Sequence, residues 1–290
     1  MSATLELGPG DQLVGTTGSV VTRGPASYGV PLVKIRPAPS VWKIVNLNGA
    51  NVQVAWVDLA GGQAAIGAGD ATATARIEFV AIQDTTRVGI GQMRGKLLHS
   101  HLYANGLDPD LQGFSAAAVK GVDEYEAAFN FVHDNPANGL WCDQGCIDEG
   151  AAMPNGFWAH DNLLVNNGRW GVRYEFSPIV ASGARDPTST ALIERNEIHG
   201  NGYKEGASFG GASMWDAQNA TFRGNVFGPK TIAGVAYRAN AGRVGILFND
   251  SGRADRTDLW NGDAVANTLG GDTVVGCSRP DAVVLCANNK

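Results

Sequence analysis

An Asn, any residue, an apolar residue, two more residues and a second Asn recur along this chain. That repeat restricts the fold more than any other feature. Clear copies begin at Asn130 (through Val132 to Asn135), Asn162 (through Leu164 to Asn167) and Asn196 (through Ile198 to Asn201). A weaker copy runs from Ser100 through Leu102 to Asn105, and a degraded one follows at Asn225 and Phe227. The leading positions 100, 130, 162, 196 and 225 are 30, 32, 34 and 29 residues apart. A period of that size marks a stacked-repeat architecture whose loops vary while its strands do not. Asn tolerates the left-handed backbone region and suits a sharp corner between two strands. Stacked at such corners, Asn amides can pass hydrogen bonds from one turn to the next.

The segments between the corners are short, alternating and apolar, bounded by Asn and Gly, and so read as strands. No stretch offers an amphipathic helix of a dozen residues. Parallel strands need long crossovers, and a coil with about three short strands per turn supplies them without helices. The expected fold is all-β: a right-handed, single-stranded parallel β-helix, a solenoid of about 30 residues per coil. The expected division is one β-helix domain over residues 1–290. Residues 1–94 would form a cap and early coils, 95–250 the regular coils, and 251–290 the C-terminal coil and cap.

Residues 133–143, 160–175 and 194–202 resemble the β-helix repeat proteins of the pectate-lyase-like superfamily. The resemblance covers about residues 95–250; residues 1–94 fit through VWKIVNL, NVQVAWVDLA and ARIEFVAI as earlier strands. It implies the fold, and carbohydrate processing as the commonest use of the scaffold. The paired-Asp and Gly-His-Gly signatures of the polygalacturonase-like branch are absent, and the catalytic arginine motif of pectate lyases is not matched. The Asp-Pro-His-Asp motif of alginate epimerases is approached only by Asp108-Pro109-Asp110, without the His.

Composition excludes some functions. A formal net charge of −6 and no basic stripe argue against a nucleic-acid partner. No apolar run approaches the roughly 20 residues needed to cross a membrane. The first residues lack a basic-then-apolar leader, so they read as a mature or truncated start, or as a protein not exported by that route. The four cysteines are Cys142, Cys146, Cys277 and Cys286. Cys142 reads as a buried thiol. Cys277 and Cys286 bracket the last loop, and a disulfide between them would favour an oxidising compartment. Extracellular or periplasmic placement, or association with a phage, follows as the expectation.

Five stretches can be laid over one another: 116–120, 139–143, 171–175, 212–216 and 245–249. One column then reads Lys120, Asp143, Glu175, Asp216, Asn249, and its neighbour Ala118, Trp141, Arg173, Met214, Leu247. Strand alternation turns both columns outward. Rungs lie about 4.8 Å apart, so Asp143 and Glu175 would approach the roughly 5–5.5 Å separation of retaining glycosidases. Asp143, Glu175, Asp216 and Lys120 are the candidate catalytic residues; Trp141, Arg173 and Asn249 are the candidate sugar contacts. Three stacked carboxylates repel, so at least one pKa should rise. The same oxygens of Asp143, Glu175 and Asp216 form an alternative calcium site. Inserts at 107–113 and 203–209 would wall a cleft on either side of the Asp143 and Glu175 rungs. His133 and His199 occupy equivalent corner positions and read as turn residues, with His160 nearby; His99 and His101 lie on an earlier rung.

The leading expectation is a polysaccharide-cleaving enzyme, a glycoside hydrolase with a lyase as its variant. In the lyase, Lys120 or Arg173 would remove a proton beside a uronate. Two other classes compete: a non-catalytic glycan-binding or tail-spike-like module, and a structural coil clamped by calcium. The expected partner is a polysaccharide or oligosaccharide. The sequence leaves the sugar, the linkage and the oligomeric state open.

Overall fold

The computed structural model describes residues 3–38, 40–69, 73–112, 115–121, 124–144, 146, 156–177, 190–204, 209–249, 260–276 and 284–290. Among these, ten strands form a first sheet, ten a second and seven a third. The chain visits the sheets in turn. A representative coil runs Val88–Gly91, Gly95–Leu98 and His101–Tyr103, and each strand pairs in parallel with its counterpart one coil later. The chain is a parallel β-helix, as the Asn repeat leads one to expect. Leu5–Leu7 and Gln12–Val14 already pair in parallel with Lys43–Leu47 and Val52–Ala55, so the coiling begins at the start of the described chain.

The Asn repeat does its work at two corners. Ser100, Asn130, Asn162, Asn196, Asn225, Asn267 and Asn289 stack between the second and third sheets. Thr85, Asn105, Asn135, Asn167, Asn201, Asn240 and Asp272 stack between the third and first. Within the ladders, each amide Nδ2 donates to the next Asn Oδ1 at 2.8 to 3.1 Å. The left-handed position is the residue before the ladder Asn rather than the Asn itself. Phe129, Asp161 and Arg195 have positive φ at one corner, and Asp134, Asn166 and Gly200 at the other. That geometry turns the following Asn side chain inward, where its amide serves backbone groups no strand can reach. At the first corner Trp56, Phe79, His99 and Phe129 extend the stacking outward, with ring centroids 4.6, 4.9 and 4.9 Å apart.

One apolar core fills the coil, from Ile44 and Val54 through Leu97, Tyr125 and Leu140 to Phe222 and Phe248. A smaller cluster lies outside the coil, on the third sheet. There two antiparallel hairpins, Ser19–Arg23 with Ala26–Val30 and Lys230–Ile232 with Val235–Tyr237, bring Tyr28, Ile232 and Tyr237 onto Phe131, Leu163 and Val165. The strands Phe131–His133 and Leu163–Val165 of the third sheet are thereby covered.

The cysteine expectation needs correction. Cys142 is bonded to Cys146, with Cα atoms 5.3 Å apart, and both residues are buried. Cys142 faces inward as expected, and the chain turns just beyond the strand so that Cys146 comes back beneath it. Cys286 is also disulfide-bonded; Cys277 lies outside the described residues.

Candidate functional site

The first sheet fixes the true columns. Paired residues along one outward column are Asn46, Gly67, Gly91, Lys120, Trp141, Arg173, Ser213 and Leu247. In the next outward column Glu175 pairs with Trp215 and Trp215 with Asn249; Asp143, one residue beyond the Cys142–Tyr174 pair, extends it. Asp143 and Glu175 therefore do stand on adjacent rungs, and Asn249 stands two rungs beyond Glu175. Lys120 and Asp216 do not share that column.

Each miss has a physical cause. Lys120 pairs with Trp141, two positions before Asp143, and Ala118 belongs to the core. In 212–216 the alternation is inverted. Met214 is buried between Tyr174 and Phe248, Trp215 faces outward, and Asp216 falls on the turn with φ 46°. A four-residue strand with Met on one face and Trp on the other presents two equally apolar faces, so hydrophobicity cannot set its register. Asp216 is 1% exposed, and its N–H donates to Asn249 O at 2.8 Å.

The outward residues are not a solvated ladder but a packed ionic cluster. Lys120 Nζ lies 2.8 Å from Asp143 Oδ2. Lys120 and Arg173 cover the Trp141 ring, at 4.1 and 4.8 Å from its centroid. Trp141 Nε1 donates to Glu175 Oε2 at 2.9 Å, and Arg173 Nη2 donates to Oε1 at 2.6 Å. Glu175 is 3% exposed and Trp141 2%. Burial raises the Glu175 pKa; Arg173 opposes that shift and Asp143 adds to it. Burial likewise lowers the Arg173 pKa, against the pull of Glu175. The expected rise thus occurs at Glu175, with desolvation as its main cause and carboxylate repulsion secondary.

This geometry bears on the sugar-contact and calcium expectations. Trp141 is almost wholly covered, with Lys120 and Arg173 both over its ring. The three carboxylates of the calcium expectation are engaged separately. Glu175 is held by Trp141 and Arg173, Asp143 by Lys120, and Asp216 sits on the turn. Among the described residues no three His, Cys, Asp or Glu side chains group around a metal position.

The accessible cavity lies toward the earlier coils. A cleft of about 390 Å³ is lined by Trp42, Lys43, Gly67, Arg87, Gly91, Gln92, Ser115, Lys120 and Asp143, among others. Its floor is the two-glycine stretch of the Lys120 column, where the absence of side chains leaves a trough on the sheet. A Cβ on Gly67 would meet Lys43 Cε at 3.1 Å. Lys43 Nζ is anchored to Asn46 Oδ1 and Ala68 O at 3.0 and 2.9 Å. Arg87 Nε donates to Ser115 Oγ at 2.7 Å, and its guanidinium lies 5.6 Å from the Trp42 ring centroid. Trp42 is 47% exposed. The signal for these residues was present in the sequence: extending the Lys120 column backward reaches Gly91 and Gly67. The early coils lack the Asn repeat that would have set their register.

The inserts also differ from expectation. By true register the third-to-first corner takes 6 residues from Asn135 to Trp141 and from Asn167 to Arg173, against 15 from Asn105 to Lys120 and 12 from Asn201 to Ser213. Among the described residues the two long corners meet across the intervening coils. Arg169 Nη1 donates to Gln112 O at 3.1 Å, Lys204 Nζ reaches Gln112 Oε1 at 3.5 Å, and Arg169 packs 4.2 Å from the Phe209 ring centroid. Residues 113 and 205–208 lie outside the described residues.

Among solved structures the chain is similar to the Azotobacter vinelandii mannuronan C-5 epimerase AlgE4 A-module, at 11% identity over 99% of this chain and 88% of that one, with a TM-score of 0.43. It is similar also to the AlgE6 A-module of the same organism, at 12% identity over 99% and 90%, again with a TM-score of 0.43. No family model and no curated protein sequence matches the chain. No helix among the described residues is long and apolar enough to cross a membrane.

Proposed function

We propose that this β-helix is a carbohydrate-active enzyme that cleaves a polysaccharide lying along the outer face of its first sheet, by β-elimination at a uronate. The observation that carries this reading is the glycine-floored cleft ending on the Lys120–Asp143 pair. Trp42 offers an exposed ring for a sugar face. Lys43, Arg87 and Lys120 outnumber the single carboxylate Asp143 among the charged lining residues, which suits an acidic glycan.

The chemistry follows from which groups a substrate can reach. A two-carboxylate hydrolase needs both acids at the scissile bond, and Glu175 is buried with both oxygens engaged. Elimination needs one base, one acid and a stabilised carboxylate. Asp143 takes the proton on the carbon beside the uronate carboxyl. Lys43 and Arg87 stabilise the charge that develops on that carboxyl. The carbon–oxygen bond to the leaving sugar breaks as the ring double bond forms, and Lys120 gives its proton to the leaving oxygen. Proton transfer from Asp143 to Lys120 across their 2.8 Å contact restores the pair. Glu175, Arg173 and Trp141 hold Lys120 and Asp143 in place from below.

The test is a screen of polygalacturonate, alginate and neutral glucans, following both reducing ends and the ultraviolet absorbance of unsaturated uronates. Absorbance should rise with an acidic polymer, and Asp143→Asn should lower the rate roughly 10²–10⁴-fold while the fold is retained. Reducing ends without absorbance would replace elimination by hydrolysis. Silence in both channels would leave a glycan-binding module.

A further inference from the structure

A second groove lies on the ridge between the third and first sheets, outside the cleft just described. It measures about 360 Å³ and is lined by Asp134, Asn166, Tyr203, Ala236 and Arg238. A smaller hollow of about 260 Å³ adjoins it and shares Tyr203 and Arg238. Its floor follows from the corner geometry. Asp134, Asn166 and Gly200 are the left-handed residues of three successive coils. Their column therefore runs along the solenoid axis, at about 4.8 Å per coil. At the third coil the column is a glycine, and a Cβ there would meet Asn166 Oδ1 at 2.5 Å and Arg238 Cγ at 3.3 Å. Gly200 thus lets Arg238 lie down across the ridge.

The lining has the composition of a sugar site. Tyr203 is 39% exposed, a flat apolar face with a polar tip. The Arg238 guanidinium lies 5.6 Å from that ring's centroid; it is exposed, and among the described residues it makes no ion pair. Asp134 is oriented by His133 Nδ1 at 2.6 Å, and its pKa is lowered by that contact, against the opposing effect of burial, with further lowering by Asn166. The groove thus brings together an anionic acceptor, an aromatic plate and, beside that plate, a five-donor fork.

We infer that the Asp134–Asn166–Tyr203–Arg238 groove is a glycan-binding site, holding a pyranose ring against Tyr203. The ring hydroxyls donate to Asp134, and a ring hydroxyl or uronate carboxylate accepts from Arg238. The groove runs along the axis, across the stacked coils, and an oligosaccharide of a few units spans its three rungs.

The groove shares no residue with the cleft, so binding there stands apart from turnover. Two hexameric probes, oligogalacturonate and cellohexaose, are titrated into the Asp143→Asn variant and followed by NMR at the Arg238 Nε–H and Tyr203 ring signals. Saturable shifts with either probe are expected, and Tyr203→Ala and Arg238→Ala should each weaken the event reported there by at least about tenfold. Binding of the charged probe alone assigns Arg238 to a carboxylate; binding of both assigns it to hydroxyls. Both substitutions lie on the surface, and an unchanged melting temperature shows that the fold persists. No shift at either reporter with either probe, or shifts untouched by Tyr203→Ala, overturns the site. Absence of turnover in the wild-type protein with intact groove binding would count against the cleft reading alone.

Discussion

Lowering the pH from 6.5 should unfasten the N-terminal hairpin, and the amount can be worked out from one imidazole. His101 Nε2 faces His133 Nε2 at 2.6 Å, and Tyr28 of the hairpin packs over His101 with ring centroids 4.7 Å apart. Burial, then the neighbouring His133 and Arg23, push the His101 pKa down from 6.5 to about 3. The folded state therefore keeps His101 neutral, while an opened hairpin lets it take a proton below pH 6.5. The open state binds more protons throughout the window from 6.5 to 3, so the closed state's stability is full above that window and is lost as pH falls through it. One unit corresponds to about 1.4 kcal/mol. At pH 4.5 the loss is up to about 3 kcal/mol, or roughly a hundredfold more opening, since His133 stays beside His101 on the sheet when the hairpin opens and holds back part of the proton uptake. Ser27 N donates to Phe129 O and Gly29 N to His99 O, so these two amides report the clasp. Native-state hydrogen exchange, corrected for intrinsic rates, should show their protection falling by up to about tenfold per pH unit from 6.5 to 4.5. His101→Phe, which keeps a ring beside Phe131, should remove that slope. A flat wild-type profile, or the same slope in the variant, would refute the reasoning.

The ladders and the buried ion pair give two further tests. Asn162 makes four side-chain hydrogen bonds, to Ala127 O, Asn196 Oδ1 and the Asn130 N–H and Nδ2; Asn162→Ala should cost about 3 kcal/mol in urea unfolding, since several buried groups lose partners at once. Glu175→Gln keeps an acceptor for Trp141 but strands the buried Arg173 charge, so it should cost about 3 kcal/mol, and adding Arg173→Met should recover most of that.

How much was legible varies along the chain. The Asn repeat announced the coil because an Asn ladder demands the same residue at the same corner on every turn. Strands 139–143, 171–175 and 245–249 showed their faces because polar and apolar residues alternate. Strand 212–216 did not, and there the reading slipped by one residue, moving Asp216 onto the column that Trp215 occupies. The glycine trough stayed hidden for a related reason: Gly67 and Gly91 contribute an absence of side chain, and only alignment with Lys120 turns that absence into a cavity.

The sequence by itself determined a parallel coil, its period, its corners and the adjacency of Asp143 and Glu175. Tertiary structure decided which of these groups a ligand can reach. Register within a repeat is local and written in residue types, whereas accessibility depends on where long side chains settle. Lys120 and Arg173 close over Trp141, Arg173 engages Glu175, and only the Lys120–Asp143 edge is left on the cleft, an outcome of packing between rungs some twenty to thirty residues apart in the chain.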